Sequence, residues 1–303
     1  MKKITRRTLL KRSALAAIGS SLFFSLPRRV LGNSTHTDLT KVILIRDENV
    51  VSEGVHNKAI LEKMINRALL ELTGTQDVDT AWKKILRPDD ILGIKTNVWN
   101  NLRTPVELEE VLKEKAIKAG VDPGNISTDD RGILNNPVFK QSTALINVRP
   151  MRTHAWAGVG SLIKNYIMFD PKPYSYHDDS CADLAKLWEL PAVKGKTRLN
   201  ILLMLTPLFH GVGPHHFNKM YTWEYKGMLV GFDPVAVDSV GLRIIQAKRL
   251  EFFGEDTPLN PPAKHILLAD TRYNLGTADP GKINLVTMGW KENLLIKPDE
   301  YTL

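Results

Sequence analysis

Residues 200–205 read NILLML, a continuous apolar run followed closely by Pro207. A strand that meets water on one face alternates polar and apolar residues, whereas a strand covered on both faces is apolar throughout. The run therefore predicts a buried strand, and Pro207 predicts its end. Five other runs have the same character: 41–46 (KVILIR), 91–98 (ILGIKTNV), 144–148 (ALINV), 227–232 (GMLVGF) and 283–288 (INLVTM).

Between these runs, apolar residues recur at the spacing of a helix face. Helices are predicted over 56–72, 105–119, 161–169, 182–190 and 235–248. Strands that alternate with helices favour an α/β fold with a mostly parallel sheet and helices on both faces. Such sheets bind ligands at the carboxyl ends of their strands, so the residues that follow each strand are the candidates for a site.

The first 32 residues differ in composition from the rest of the chain. They contain eight Lys and Arg residues and no Asp or Glu, and 5–11 (TRRTLLK) has the twin-arginine pattern ahead of an apolar stretch at 14–26. We expect 1–32 to be a signal peptide, 33–40 a linker and 41–303 a single α/β domain. The twin-arginine translocase is then a partner, the location is periplasmic or extracellular, and no stable transmembrane segment remains after cleavage. An uncleaved amphipathic anchor is the alternative.

The formal net charge of +8 comes from this leader. Eight of the 41 Lys and Arg residues lie in it, so the 33 that remain balance the 33 Asp and Glu residues. The chain after the leader therefore has no net charge and lacks the positive electrostatic field that attracts nucleic acid. This argues against a nucleic-acid partner. Cys181 is the single cysteine, so we expect no intrachain disulfide and no iron–sulfur cluster, and a metal ion would need His, Asp or Glu ligands.

Lys95 and Asn97 fall near the carboxyl end of the predicted strand 91–98. A cation and an amide at that position suit an anionic ligand or cofactor. An exposed lysine and a turn-forming asparagine explain the same residues.

The segment after the run ALINV carries further candidates: Arg152, His154, Gly160 and Lys164. Gly158 and Gly160 allow backbone amides to approach a ligand, and Ser161 is placed to cap a helix whose N-terminus favours anions. The pattern indicates a cationic, imidazole-bearing pocket for a carboxylate, a phosphate or a metal-bound group. A structural loop with a capping serine and a surface lysine is the alternative.

Histidines concentrate between residues 154 and 216. His154, His177 and His215 are candidate metal ligands, because neutral imidazoles with nearby carboxylates bind Zn, Ni or Fe. Their spacing matches no standard zinc motif. Loop histidines that bind no metal are the alternative.

Two aspartates lie where the strand 227–232 meets the helix 235–248. Asp233 is placed to cap that helix, with Pro234 at its first position. Asp238, one turn further on an apolar face, is a candidate catalytic residue that pairs with a cation such as Lys164 or orients a histidine. Cys181 is interpreted as a small residue at a helix start.

Five segments resemble domain-of-unknown-function family 362 in order and spacing over roughly residues 85–250. They are 95–97 (KTN), 146–154 (INVRPMRTH), 160–165 (GSLIKN), 211–214 (GVGP) and 233–238 (DPVAVD). This resemblance implies that Asn165 and Gly213 are further cofactor-binding residues. The family's general biochemical function is not settled, and with a single cysteine we do not expect this chain to carry the ferredoxin-like module of some members. It also departs from the family at Arg152, where Lys is usual, and at Thr206, where Asp is usual.

The chain is also similar to the lactate racemase family at His154 and Lys164, a His and a Lys ten residues apart with glycines between them. In that family the Lys carries a nickel-pincer nucleotide, which implies Lys164 as a covalent cofactor anchor. The glycine pair beside the Lys and a counterpart of the other catalytic His are missing here.

Together these patterns favour an exported enzyme that acts on a small anionic organic molecule with a metal or organic cofactor. The reaction class is proton or hydride transfer, of the isomerase or oxidoreductase type. His154 is the expected general base or metal ligand, Lys164 the anion binder or cofactor anchor, and Asp238 the orienting acid. The alternative is a non-catalytic periplasmic accessory protein that binds an anion, a metal or a cofactor.

Overall fold

The apolar runs form strands of a mixed sheet in the computed structural model, which describes residues 39–211 and 216–301. In chain order the strands are β1 (Thr40–Arg46), β2 (Val51–Ser52), β3 (Val55–His56), β4 (Leu92–Lys95), β5 (Ile126–Asp129), β6 (Ala144–His154), β7 (Gly158–Gly160), β8 (Thr197–Leu208), β9 (Gly227–Gly231) and β10 (Ile283–Gly289). The chain divides into Met1–Thr37 and Asp38–Leu303. The first unit, which holds the predicted signal peptide and most of the linker, lies outside the described residues.

The strand order of the main sheet is β10-β1-β9-β8-β6-β4-β5, with β7 paired to β6, while β2 and β3 form a separate hairpin. The strands of this path run in one direction except β9, which is antiparallel to β1 and to β8. The prediction of an α/β fold with a mostly parallel sheet is confirmed. The carboxyl ends of β4, β6 and β8 consequently meet at one edge of the sheet.

Helices cover both faces of this sheet. They are α1 (Lys58–Thr73), α2 (Val78–Ile85), α3 (Val106–Ala119), α4 (Pro137–Gln141), α5 (Leu162–Asn165), α6 (Pro234–Phe253) and α7 (Lys264–Thr271). One apolar core packs α1–α3 against residues such as Ile146, and the other packs α6 and α7 against residues such as Leu145. Neighbouring residues of one strand thus enter opposite cores, which is why the runs are apolar throughout. No helix among residues 39–211 and 216–301 has the length and apolar character needed to cross a bilayer.

The central strands β6 and β8 continue through Pro150 and Pro207, where the sequence predicted their ends. β4 pairs with β6 only as far as Asn147, and β9 pairs with β8 only as far as Met204. Beyond those points β6 is no longer paired with β4, and β8 is no longer paired with β9. A proline has no N–H to donate, so it is tolerated where the side of the strand is unpaired. Arg149, Arg152 and His154 therefore lie in a buried strand, which corrects the prediction of a loop.

Other elements differ from their predictions. The predicted helix 161–169 is α5 followed by a 3-10 turn at Tyr166–Phe169, and the predicted helix 182–190 is a 3-10 helix at Leu184–Glu189. The sequence analysis gave no prediction for α2, β5, α4, β7 or α7. Most of these are short, and such segments carry little periodicity.

Candidate functional site

Lys95 is the last residue of β4, and its side chain is fully buried. Its Nζ donates to Asp130 Oδ1 at 2.5 Å and to the carbonyl oxygen of Thr96 at 2.8 Å. Asp130 also accepts from the backbone amide of Val98. Burial alone would raise the pKa of Asp130, but the Lys95 ammonium and the hydrogen bonds lower it below its ordinary value. Burial lowers the pKa of Lys95 to about 8, and Asp130, its own counter-ion, opposes this shift.

A ladder of buried amides runs across the sheet beside this ion pair. Asn165 Nδ2 donates to Asn147 Oδ1 at 2.8 Å and to the carbonyl of Lys95 at 3.2 Å. Asn147 donates in turn to Asn200 Oδ1, and Asn200 donates to the carbonyl of Phe232. Asn165, a predicted cofactor ligand, thus uses its amide to hold α5 against β4 and β6.

Asp238 lies fully buried on α6, and its carboxylate closes the N-terminus of α5. It accepts from the backbone amides of Leu162 and Ile163, both at 2.9 Å, and from the Ser161 hydroxyl at 2.6 Å. Burial raises the pKa of Asp238 to about 6, and these hydrogen bonds and the charge of Arg149 oppose the shift. The sequence predicted that the N-terminus of this helix favours an anionic ligand. In the structure the carboxylate of Asp238 occupies that position.

The β6–β7 hairpin brings Gly160 against the guanidinium of Arg149. A Cβ atom on Gly160 would lie 2.6 Å from Arg149 Nη2. Gly158 has a φ of +69° and lies against the backbone of residues 261–263. A Cβ atom at this position would lie 2.6 Å from the carbonyl oxygen of Pro261. Burial lowers the pKa of Arg149 to about 10, and its Nε has no hydrogen-bond partner among the described residues.

Arg152 is 5% exposed, and its Cζ lies 4.2 Å from the ring centroid of Trp99. Its Nε and Nη1 find no hydrogen-bond partner in the described part of the chain. Burial, and then the charge of Arg149, hold the pKa of Arg152 well below its ordinary value. Asn97 shapes the loop that presents Trp99, because its Oδ1 accepts from the backbone amide of Trp99 and its backbone N–H donates to Thr104 Oγ1.

His154 ends β6 and is 6% exposed. Its Nδ1 accepts from the backbone amide of Trp156 at 3.2 Å, which assigns the proton of the neutral ring to Nε2. Burial, followed by the charges of Lys164 and Arg152, holds the pKa of His154 far below its ordinary value. Trp156 stacks on His177, with ring centroids 4.4 Å apart, and burial and Lys164 lower the pKa of His177 to about 4.

Lys164 is 3% exposed on α5, and its Nζ has the Cys181 thiol as its hydrogen-bond partner in the described part, 3.8 Å away. Burial lowers the pKa of Lys164 to about 8, and Cys181 opposes this shift while Arg149 adds to it. Cys181 closes a turn in which Asp179, Ser180 and Cys181 have φ values of 50°, 58° and 62°. Successive left-handed residues other than glycine are strained. Cys181 thus lies in a strained turn rather than at the predicted helix start.

The sequence analysis did not single out His265, which α7 places beside these residues. Its side chain is fully buried, and neither ring nitrogen has a hydrogen-bond partner among the described residues. Burial, followed by the charges of Lys164 and Arg149, lowers the pKa of His265 to about 3. The one signal in the sequence is a histidine inside an otherwise mostly apolar segment, 263–269 (AKHILLA).

We call Arg149, Arg152 and Lys164 the cation cluster. In the described part of the chain, none of the three forms a salt bridge with a carboxylate. The carboxylates that act on the two arginines electrostatically are Asp130 and Asp238. Both are bound elsewhere, one to Lys95 and one to the backbone of α5. The cluster is a buried concentration of positive charge.

The sequence model of a family described as Domain of unknown function (DUF362) matches residues 103–243. This match supports the assignment of the chain to the DUF362 family. The DUF362 match contains the cation cluster, His154 and Asp238, whereas Lys95 and His265 lie outside it. No match was found among curated proteins or among solved structures.

Two predicted site residues, Gly213 and His215, lie outside the described residues. Among those described, no group of three or more His, Cys, Asp or Glu side chains is arranged to hold a metal ion. A cavity of about 1000 Å³ opens on the α1–α3 side of the sheet, with Pro150, Leu203 and Leu205 in its lining. The cation cluster does not line it.

Proposed function

We propose that this chain is an exported enzyme that binds a small anionic organic molecule at the cation cluster and transfers a proton to or from it. The observation that supports this proposal is the burial of Arg149, Arg152 and Lys164 without a carboxylate partner among the described residues. An unpaired buried charge costs several kcal/mol, so folded proteins pair such charges or bind a counter-ion.

The two arginines favour a carboxylate or a phosphate as the bound group. A guanidinium presents planar N–H donors that match the oxygens of both anions. The buried nitrogens without partners, Nε of Arg149 and Nε and Nη1 of Arg152, are the donors that such a ligand would satisfy.

Lys164 is the proposed base and His154 the proposed hydrogen-bond donor. The Nδ1 atom of His154 already accepts from Trp156, so the Nε2–H is the group left to donate to an oxygen of the substrate. The pKa of Lys164, about 8, gives a substantial neutral fraction near neutral pH, which suits a proton acceptor. This arrangement exchanges the roles that the sequence suggested for the two residues.

Binding is tested by adding inorganic phosphate or oxalate to the wild type, to Arg149→Met and to Arg152→Met. Ligand at 100 times its dissociation constant stabilises the wild type by about 2.7 kcal/mol. We expect each variant to need at least about tenfold more anion for the same shift in melting temperature, since a hydrogen bond to a charged group contributes about 1.5–3 kcal/mol. Arg272→Met, a surface change, is the control. A wild type that neither anion stabilises contradicts the proposal.

Catalysis is tested separately, because a non-catalytic accessory protein needs the same cations. Small carboxylic acids are incubated with the protein in deuterated buffer, and NMR follows the replacement of carbon-bound protons. Exchange that is lost in Lys164→Arg supports an enzyme. Binding of the same acids without exchange supports the accessory protein instead.

Export is the part of the proposal that depends on residues 1–32, outside the described residues. The twin arginines Arg6 and Arg7 and the apolar stretch after them support it. Replacing both arginines by Lys should retain the full-length chain in the cytoplasm, as measured by cell fractionation. Unchanged periplasmic recovery of the double variant contradicts this route.

A further inference from the structure

We propose that Lys164 forms a Schiff base with an aldehyde or ketone carbon of a ligand whose anionic group lies against Arg149 and Arg152. The inference rests on the proposed anion binding and adds a covalent step and a substrate class, the oxo acids and phosphorylated carbonyl compounds. In this inference the buried amine of Lys164 acts as a nucleophile as well as a cation.

The first support is the contrast between two buried lysines. Lys95 donates to the carboxylate of Asp130, a counter-ion that opposes the lowering of its pKa by burial. Lys164 has the Cys181 thiol as its hydrogen-bond partner in the described part, and no carboxylate holds its proton. An amine must be neutral to attack a carbonyl carbon, and a desolvated lysine beside other cations is the known way to make it so.

The second support is the set of titratable and charged groups that interact electrostatically with Lys164. Those with an electrostatic effect on it or from it are Arg149, Arg152, His154, His177, Cys181 and His265. The arginines favour the neutral amine, and the three imidazoles are themselves neutral because their pKa values are lowered. The thiol is the one group of this set that favours the ammonium. Positive charge from β6 therefore dominates the surroundings of the amine.

The third support is the strained turn that carries Cys181. Asp179, Ser180 and Cys181 hold left-handed backbone conformations, and a salt bridge from Lys264 to Asp179 ties the turn to α7. Strain of this kind persists where the surrounding structure enforces it, and it concentrates at functional sites. Here the enforced geometry places a soft, weakly hydrogen-bonding sulfur beside the amine in place of an acidic oxygen.

The covalent step balances without an oxidant or a reductant. The lone pair of Lys164 Nζ forms a bond to the carbonyl carbon, and the carbon–oxygen double bond breaks. The oxygen leaves as water, taking one proton from the nitrogen and one from solvent. The nitrogen keeps its second proton, so the product is the protonated imine, and its single positive charge comes from the solvent proton.

The test traps this imine in the full chain with pyruvate and sodium cyanoborohydride, and peptide mass spectrometry maps the reduced adduct. Pyruvate is chosen because it is small and carries one carboxylate and one ketone. We expect the adduct on Lys164 at least tenfold ahead of every other lysine, including buried Lys95, with excess oxalate blocking it. Lys164→Arg should give no adduct at that position.

The outcomes separate this inference from the proposed function. Stabilisation by oxalate without an adduct on Lys164 overturns the Schiff base and leaves anion binding intact. Absence of both overturns both. An adduct on Lys164 that oxalate does not block overturns the assignment of the anionic group to the two arginines. The position of the adduct in the wild-type chain decides between these outcomes. The experiment therefore remains valid even if Lys164→Arg folds poorly.

Discussion

At the scale of single residues, removing a charge should change the free energy of unfolding differently at the two buried lysines, Lys95 and Lys164. Asp130→Asn leaves Lys95 buried without its counter-ion, and breaking a buried pair in this way costs about 3–5 kcal/mol. Lys164→Met removes a cation that has no carboxylate partner in the described part, so we expect an unchanged or higher free energy of unfolding. Urea unfolding at pH 7 measures both. A large loss of stability in Lys164→Met contradicts the description of Lys164 as an unpaired charge.

Asp238 is the second case at this scale, because its contacts indicate a structural cap for α5. Asp238→Asn puts an N–H group against the donors of Ser161 and Ile163, and we expect a loss of about 2–4 kcal/mol. Ser161→Ala removes one of the three hydrogen bonds and should cost about 1 kcal/mol. Chemical denaturation of both variants gives the comparison. Full stability of Asp238→Asn together with lost proton exchange would instead favour the catalytic role predicted from the sequence.

At the scale of elements, the two glycines of β7 support different neighbours and should respond differently to alanine. Gly160→Ala meets the movable end of Arg149, so we expect a small change in melting temperature and at least tenfold weaker phosphate binding. Gly158→Ala meets backbone of the segment 261–263 at a positive φ, so we expect a loss of about 2 kcal/mol or more. Calorimetry and phosphate titration distinguish the two effects. Equal loss of stability in both variants contradicts this division.

The same scale shows where local patterns were misleading. Pro150 and Pro207 carry the usual signal for the end of a strand, yet both lie inside strands at points where one neighbour is missing. Whether a proline ends a strand depends on strand order, which a single run of residues does not encode. For that reason the sequence placed Arg152 and His154 on a loop.

At the scale of the whole molecule, the buried His154 and His265 and the half-buried His177 predict a loss of stability in acid. The folded-state pKa of His265 is about 3 and that of His177 about 4, against an ordinary value of 6.5, and that of His154 is also lowered. Below pH 6.5 the unfolded chain binds protons that the folded chain excludes, so stability falls by about 1.4 kcal/mol per pH unit for each group that stays neutral.

One carboxyl acts in the opposite sense over part of this range. The raised pKa of Asp238, about 6, adds stability as pH falls from about 6 towards 4. The histidines outweigh it, so urea unfolding should show lower stability at pH 5 than at pH 7. His265→Leu should flatten this dependence. An equally steep dependence in His265→Leu contradicts the neutral, buried state of that ring.

Sequence alone determined what depends on neighbours along the chain. Apolar runs gave the central strands, their alternation with helices gave the α/β class, and Asp233 was identified as the cap of α6, where it accepts from the amides of Val235 and Ala236. Only the tertiary structure decided what joins distant segments. Asp238 caps a helix some 76 residues earlier, and α7 carries His265 to Lys164. Local periodicity reports which face of an element is buried, whereas strand order and packing decide which side chains meet there.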